Sequence, residues 1–222
     1  MSRFHRARVP ASRHFKAGTL RADGPGAVLR CLVLAPGPDW VAADLESGAF
    51  VRARASDSQP DEDAPPMRLG RVLSAVEITL GRDDEPPDPG RPEAVRLAAQ
   101  PVRLRRPRRQ AVRHLLGHLT PADAGRPLLG TLASSVSYTD VDGTRPSVVI
   151  VAPDERPRFG SGPDGLWCEF TLGGRRHGLA FVARATAEDF PRPEVVRLLV
   201  VGFGPPCRGQ LPKVVLGALP RI

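Results

Sequence analysis

The chain has 222 residues, 41% apolar and 25% charged, with only 11 aromatic side chains, and its 25 prolines and 22 glycines make up more than a fifth of it. That is enough chain for one or two compact domains with cores of their own. No stretch approaches the 18 consecutive apolar residues of a spanning helix, and Met1 to Leu20 lacks the apolar centre of a secretory signal, so a soluble cytoplasmic protein is expected. Cys31, Cys168 and Cys207 are odd in number and widely spaced, which excludes a disulfide framework or a zinc knuckle.

The formal charge of +8 is unevenly placed. Residues 1–22 hold six basic side chains and no acid, and so do residues 103–113, through Arg103, Arg105, Arg106, Arg108, Arg109 and Arg113. The rest of the chain is net acidic. Two concentrated basic runs suit contact with a polyanion. The bland alternative is a solvated face in a chain whose Arg, Ala, Gly and Pro richness points to a GC-rich coding sequence.

Residues 1–26 have little apolar periodicity and read as a basic arm. Ala27–Ala35, Trp40–Leu45 and Ala49–Ala55 then read as strands separated by Gly and Pro turns. Ser56–Pro66 is an acidic loop, Leu69–Leu80 a further strand, and Gly81–Pro92 a second acidic loop. In Pro107–Leu119 the apolar residues Ala111, Val112, Leu115, Leu116 and Leu119 recur at helical spacing. Arginines crowd the N-terminal half of this helix, where they oppose its macrodipole unless anions or carboxylates compensate.

From Leu128 the pattern is all β. Leu128–Thr139 and Ser147–Ala152 flank an Asp-Val-Asp-Gly turn, Leu166–Leu172 and Gly178–Ala183 flank Gly173-Gly174, and Val195–Val201 and Lys213–Leu219 complete the series. Two strand series around one helix predict a mostly β protein of two small antiparallel barrels or sandwiches joined by an amphipathic connector. The expected division is an arm at 1–26, a first unit at 27–104, a connector at 105–127 and a second unit at 128–222.

The order of motifs resembles the bacterial dual OB-containing domain family, in which two OB-type barrels are fused. Pro146–Val151 followed by Pro153 is similar to that family's "SL-x-LI-x-P" strand, and Cys168–Gly174 to its "F-x-Y-x-G" hairpin. Leu198–Gly204, Pro205-Pro206-Cys207 and Lys213-Val214-Val215 resemble its closing elements. In the first half, Arg30–Ala35 and Gly48–Arg52 resemble its opening and "G-x-W-I-R" strands, and Gln100-Pro101 falls where a "Q-P-E-N" motif would stand. Val102-Arg103 replaces the polar pair of that motif, Ala183-Arg184-Ala185 replaces a "T-D-P" element, and no tyrosine precedes Lys213. The resemblance implies two OB-like barrels.

Barrels of that kind bind single strands by stacking bases on aromatics while basic groups follow the phosphates. The aromatic candidates are Trp40, Phe50, Tyr138, Trp167 and Phe170, although most aromatics in so aromatic-poor a chain are needed for cores. Besides the run at Arg105, Arg106, Arg108, Arg109 and Arg113, the basic candidates are Arg52 and Arg54 on a strand and Arg175 and Arg176 at a hairpin tip. His114 and His118 stand at i and i+4, a chelating spacing, but no third ligand is evident and a packed or surface pair is the default reading. There is no Walker A pattern, no strand-to-helix G-x-G-x-x-G and no positional signature of a nucleophile with its base. The sequence therefore predicts a non-enzymatic binder of nucleic acid, single-stranded by preference, or of a nucleotide-like anion, with no metal, cofactor or membrane. The alternative is an interaction subunit that docks a protein partner through its barrels.

Overall fold

The computed structural model describes residues 24–36, 40–54, 72–82, 88–120, 126–162, 165–182 and 194–220. The basic arm through residue 23, the whole of the first acidic loop and residues 83–87 of the second lie outside the described residues. The protein is mostly β, as expected, and its strands form two sheets.

The first sheet contains β1 (Val28–Ala35), β2 (Val41–Asp44), β3 (Phe50–Arg54), β4 (Ala75–Thr79), β5 (Ala94–Arg96) and β6 (Val102–Arg103), in the order β5-β3-β2-β1-β4-β6. The second contains β8 (Val148–Val151), β9 (Arg158–Gly162), β10 (Gly165–Leu172), β11 (Arg175–Phe181), β12 (Val196–Phe203) and β13 (Gln210–Pro220), in the order β8-β12-β13-β11-β10-β9. The short β7 (Ser135–Ser137) pairs with the start of β13.

Two features correct the expectation of closed antiparallel barrels. Each sheet is mixed, because β3 runs parallel to β5 and β11 runs parallel to β13. Neither ladder closes on itself: the first approaches closure through a single bridge between Leu80 and Leu97, and in the second the edge strands β8 and β9 meet only along the chain at 152–157. The two sheets nevertheless share one connectivity. In each, an antiparallel meander ends in a strand that pairs parallel with a later one, β3 with β5 and β11 with β13, while the opening strand pairs with the strand that precedes that partner, β1 with β4 and β8 with β12. For this comparison β8 and β9 act as two pieces of one opening strand, the first held by β12 and the second by β10.

Three apolar clusters explain why the strands read as runs rather than as alternations. Cys31 and Val33 of β1 face a cluster with Trp40, Val51, Val76 and Ile78 inside the first sheet. Phe170, Leu179, Leu199, Val201, Leu211 and Val215 fill the second. The intervening positions of the same strands, among them Leu32, Leu34, Phe50, Ile150, Val200, Val214 and Leu216, meet in a third cluster that the sheets share. Strands buried on both faces need apolar residues at consecutive positions.

The helix α1 (Arg109–Leu119) inserts Val112, Leu115, Leu116 and Leu119 into that shared cluster. It starts two residues later than the sequence suggests, because Arg108 is still extended. Polar ties cross the same junction. The buried carboxyl group of Glu93 accepts hydrogen bonds from the Ser147 amide (2.9 Å) and from the Ser147 hydroxyl.

The expected strand over Leu128–Thr139 is mostly something else. Arg126–Leu129 forms a helical turn, α2, whose Leu128 and Leu129 pack into the second core, and only Ser135–Ser137 is extended. The Asp142-Gly143 turn forms, with the Thr144 amide and hydroxyl donating to the Asp142 carboxylate at 2.9 and 2.7 Å. It is not a hairpin turn, since β7 pairs with β13 and β8 with β12. The Gly173-Gly174 hairpin is as expected: both glycines have positive φ, and Leu172 stands opposite Arg175.

Candidate nucleic-acid interface

The arginine run begins on β6, an exposed two-residue edge strand that pairs with β4 through Val76 and Arg103. The Leu104 amide still donates to the Ala75 carbonyl at 2.9 Å, after which the chain runs extended into α1. Because the helix commits one face to the core, the opposite face and the approach to it are left to solvent. Arg103, Arg105, Arg106, Arg108, Arg109 and Arg113 are all exposed. Among the described residues, the first five hold no carboxylate in an ion pair.

The helix entrance adds to the positive field. Its first turn holds no acid, and the cap residue Arg108 makes no side-chain capping bond, so the first amides are not satisfied from within. Cations at this end cost about 0.3–1 kcal/mol each at low salt. An anion held at the entrance would relieve that cost and occupy the amides together.

Four of the sequence-derived candidates, Phe170 among them, belong to the interior instead. Trp40 and Phe50 are buried and present no ring face for a base. Arg52 is 2% exposed, and its Nη1 donates to the Phe203 carbonyl of β12 at 2.8 Å. It lies on the β3 face that the second sheet covers, so it ties the sheets together and does not reach a phosphate. Arg54 ends β3 opposite Arg96. At the hairpin tip Arg175 is exposed and donates to the Gly130 carbonyl at 3.0 Å, while the exposed Arg176 is ion-paired with Glu169.

Of the five aromatic candidates, Trp167 alone is exposed, at 36%. Tyr138 is half-buried and donates its hydroxyl to Asp88 at 2.7 Å, and Phe170 is buried and stacked on His177. Alternation along β10 turns Cys168 and Phe170 inward and Trp167, Glu169 and Thr171 outward. Trp167 stands between Gly160 on β9 and Ala180 on β11. A Cβ at Gly160 would lie 2.6 Å from the indole Cε2, so the ring rests directly on the glycine backbone. Arg158 stands opposite Glu169 two pairs along, on the same face, and a cleft of about 210 Å³ opens there among Glu155, Arg156, Arg158, Glu169, Thr171 and Arg176. Arg156 and Arg158 carry no signal of their own in the sequence; what marks them is the glycine-bearing strand 158–162 set against an aromatic partner.

Burial pushes the Cys31 thiol far up and the Cys168 thiol to about 12, so neither supplies a thiolate near neutral pH. Burial, with Lys213 and Arg175 close by, holds His177 below its ordinary value, and desolvation lowers the buried Lys213 ammonium as well. Lys213 spends its donors on the Thr131 carbonyl and hydroxyl at 3.1 and 3.0 Å. Among the described residues no three His, Cys, Asp or Glu side chains converge on a metal position, and no helix is long and apolar enough to cross a membrane. No protein-family model, no curated protein and no solved structure matches the chain, so a functional reading rests on this geometry.

Proposed function

We propose that the chain is a non-enzymatic nucleic-acid-binding protein built on two OB-like barrels, with single-stranded nucleic acid as the favoured ligand. The observation that carries the reading is the run Arg103–Arg109, whose five guanidinium groups face solvent, with no ion pair to a carboxylate among the described residues, at the start of α1, where no side chain caps the helix. Such a surface gains most from a polyanion, because each phosphate it neutralises releases condensed counterions. The shared connectivity of the two sheets supports the OB-like part of the reading, since a five-stranded, partly open Greek-key arrangement is that architecture. It is also the architecture implied by the resemblance to the dual OB-containing domain family. Trp167 supports the preference for single strands, whose unpaired bases have free faces to stack.

The test is a salt titration of binding to a mixed-sequence, fluorophore-labelled single-stranded oligonucleotide pool, read by anisotropy. Expected are binding at low salt and a log-affinity against log-salt slope of about −0.7 for every phosphate contacted. Absence of binding at low salt, with a protein partner retained through purification, would instead support an interaction subunit.

A further inference from the structure

The outer face of β9–β10–β11 is charged on one side of Trp167 only. From the indole toward the Gly173-Gly174 hairpin, the outward rows are Gly160–Trp167–Ala180, then Arg158–Glu169–Gly178, then Thr171 beside Arg176. In the other direction the paired residues of β9 and β10 are Ser161, Gly162, Gly165 and Leu166, with no cation among them. We propose that this face seats one terminal nucleotide, its base on the Trp167 indole and its phosphomonoester in the adjoining cleft of about 210 Å³, held by Arg156 and Arg158.

The charge balance carries the argument. Three guanidinium groups and two carboxylates line the cleft. Arg176 and Glu169 pair with each other. Arg156, Arg158 and Glu155 are exposed and make no ion pair among the described residues, so two cations face one carboxylate. A phosphomonoester brings a charge of about −1.5 to −2 and three acceptor oxygens that suit guanidinium forks, whereas an internal diester brings a single charge. Successive rows lie about 6.4–6.8 Å apart along a strand, so the indole and the first arginine row are spaced for the two ends of one nucleotide. A strand running through in both directions finds no cation beyond the indole on β9 or β10.

The seat is built in advance. The segment 152–157 between β8 and β9 is pinned across the hairpin: the Asp154 amide donates to the Thr171 carbonyl at 2.8 Å, the Asp154 carboxylate accepts from the Gly174 amide at 2.8 Å, and Pro157 is buried. Arg156 is thereby fixed between two anchored neighbours. One side of the indole rests on Gly160, and Gly178 has open space around it, so no side chain rises between the platform and the cleft at that position. The site depends on the nucleic-acid reading through the stacking role of Trp167, whereas the arginine run of α1 serves internal phosphates wherever they lie.

The test compares one internally labelled single-stranded oligonucleotide carrying a 5′-phosphate, a 3′-phosphate or hydroxyls at both ends, together with a nucleoside monophosphate and its parent nucleoside. A phosphate at one end should strengthen binding roughly tenfold, and the monophosphate should quench Trp167 emission at concentrations where the nucleoside does not. Arg156→Gln with Arg158→Gln should erase the end preference and leave the affinity for the hydroxyl-ended strand unchanged; if that double variant melts below the parent, Arg158→Gln alone should reduce the preference. Neutralising Arg105, Arg106 and Arg109 should lower all affinities and keep the preference. Equal affinity for the three strands, or a preference that survives the loss of Arg156 and Arg158, would overturn the assignment. If no oligonucleotide binds, the nucleic-acid reading fails and the free nucleotide decides: selective quenching upholds the seat, and its absence ends it.

Discussion

Gly217 of β13 and Ala35 of β1 touch across the junction of the two sheets: a Cβ on Gly217 would lie 2.8 Å from the Ala35 Cβ and 3.1 Å from the Leu34 carbonyl oxygen. The obstruction is largely backbone, so it cannot rotate away. Gly217→Val should force the sheets apart and cost about 1–3 kcal/mol, the range of overpacked cores. Urea denaturation followed by circular dichroism measures it, and an unchanged midpoint would mean that the sheets separate at no cost.

Neutralising Arg105, Arg106 and Arg109 together, each to Gln, tests the arginine run. All three are exposed and make no ion pair among the described residues, so melting should shift little, while the salt slope for single strands should flatten by about 2 if each loses one phosphate. An unchanged slope would remove these side chains from the interface. Unfolding would show that they support the structure.

Trp167 offers a direct optical readout. The other tryptophan, Trp40, is 1% exposed, so a ligand that stacks on the outer face of β9–β10–β11 should quench Trp167 emission selectively. An abasic oligonucleotide should bind by charge yet quench little. Trp167→Ala should cost about 1–3 kcal/mol of affinity for the base-bearing strand only. Equal losses for both strands would show that the indole is not a stacking platform.

His177 predicts a stability loss in mild acid. Its folded-state value is held below the ordinary 6.5 by burial, with Lys213 and Arg175 adding to the effect. Below 6.5 the unfolded chain therefore takes up a proton that the folded chain resists. The contribution is fully present above 6.5 and is lost as the pH falls through the lower folded-state value. Melts at pH 7.5 and 5.5 should show a drop in Tm that is smaller in His177→Gln, and an identical drop in both proteins would assign the acid sensitivity elsewhere.

The sequence made the apolar runs, the helix and the Gly173-Gly174 turn legible, because each is a local signal. It hid whatever depends on a covering partner. Arg52 shares the face of Phe50, and its charge alone suggests solvent, yet that face of β3 is the one the second sheet covers. Leu128 and Leu129 open an apolar run that reads as a strand, whereas they pack into the second core from a single helical turn. Strands β5 and β6, three and two residues long, carry too little pattern to be noticed. In the candidate site the arginine run is visible as charge alone. The exposure of Trp167 depends on its pairing with Gly160, which only strand register reveals.

The apolar cluster shared by the two sheets also has a cost in time. Every strand of the first sheet has been synthesised by about residue 103, but Val200, Val214 and Leu216, which share a cluster with Leu32, Leu34 and Phe50, come some hundred residues later. At synthesis rates of about 5–20 residues per second, that face waits roughly 5–25 s for its cover. The nascent chain therefore passes through an interval in which a half-finished protein displays its stickiest surface, and a holding chaperone has its natural point of action there.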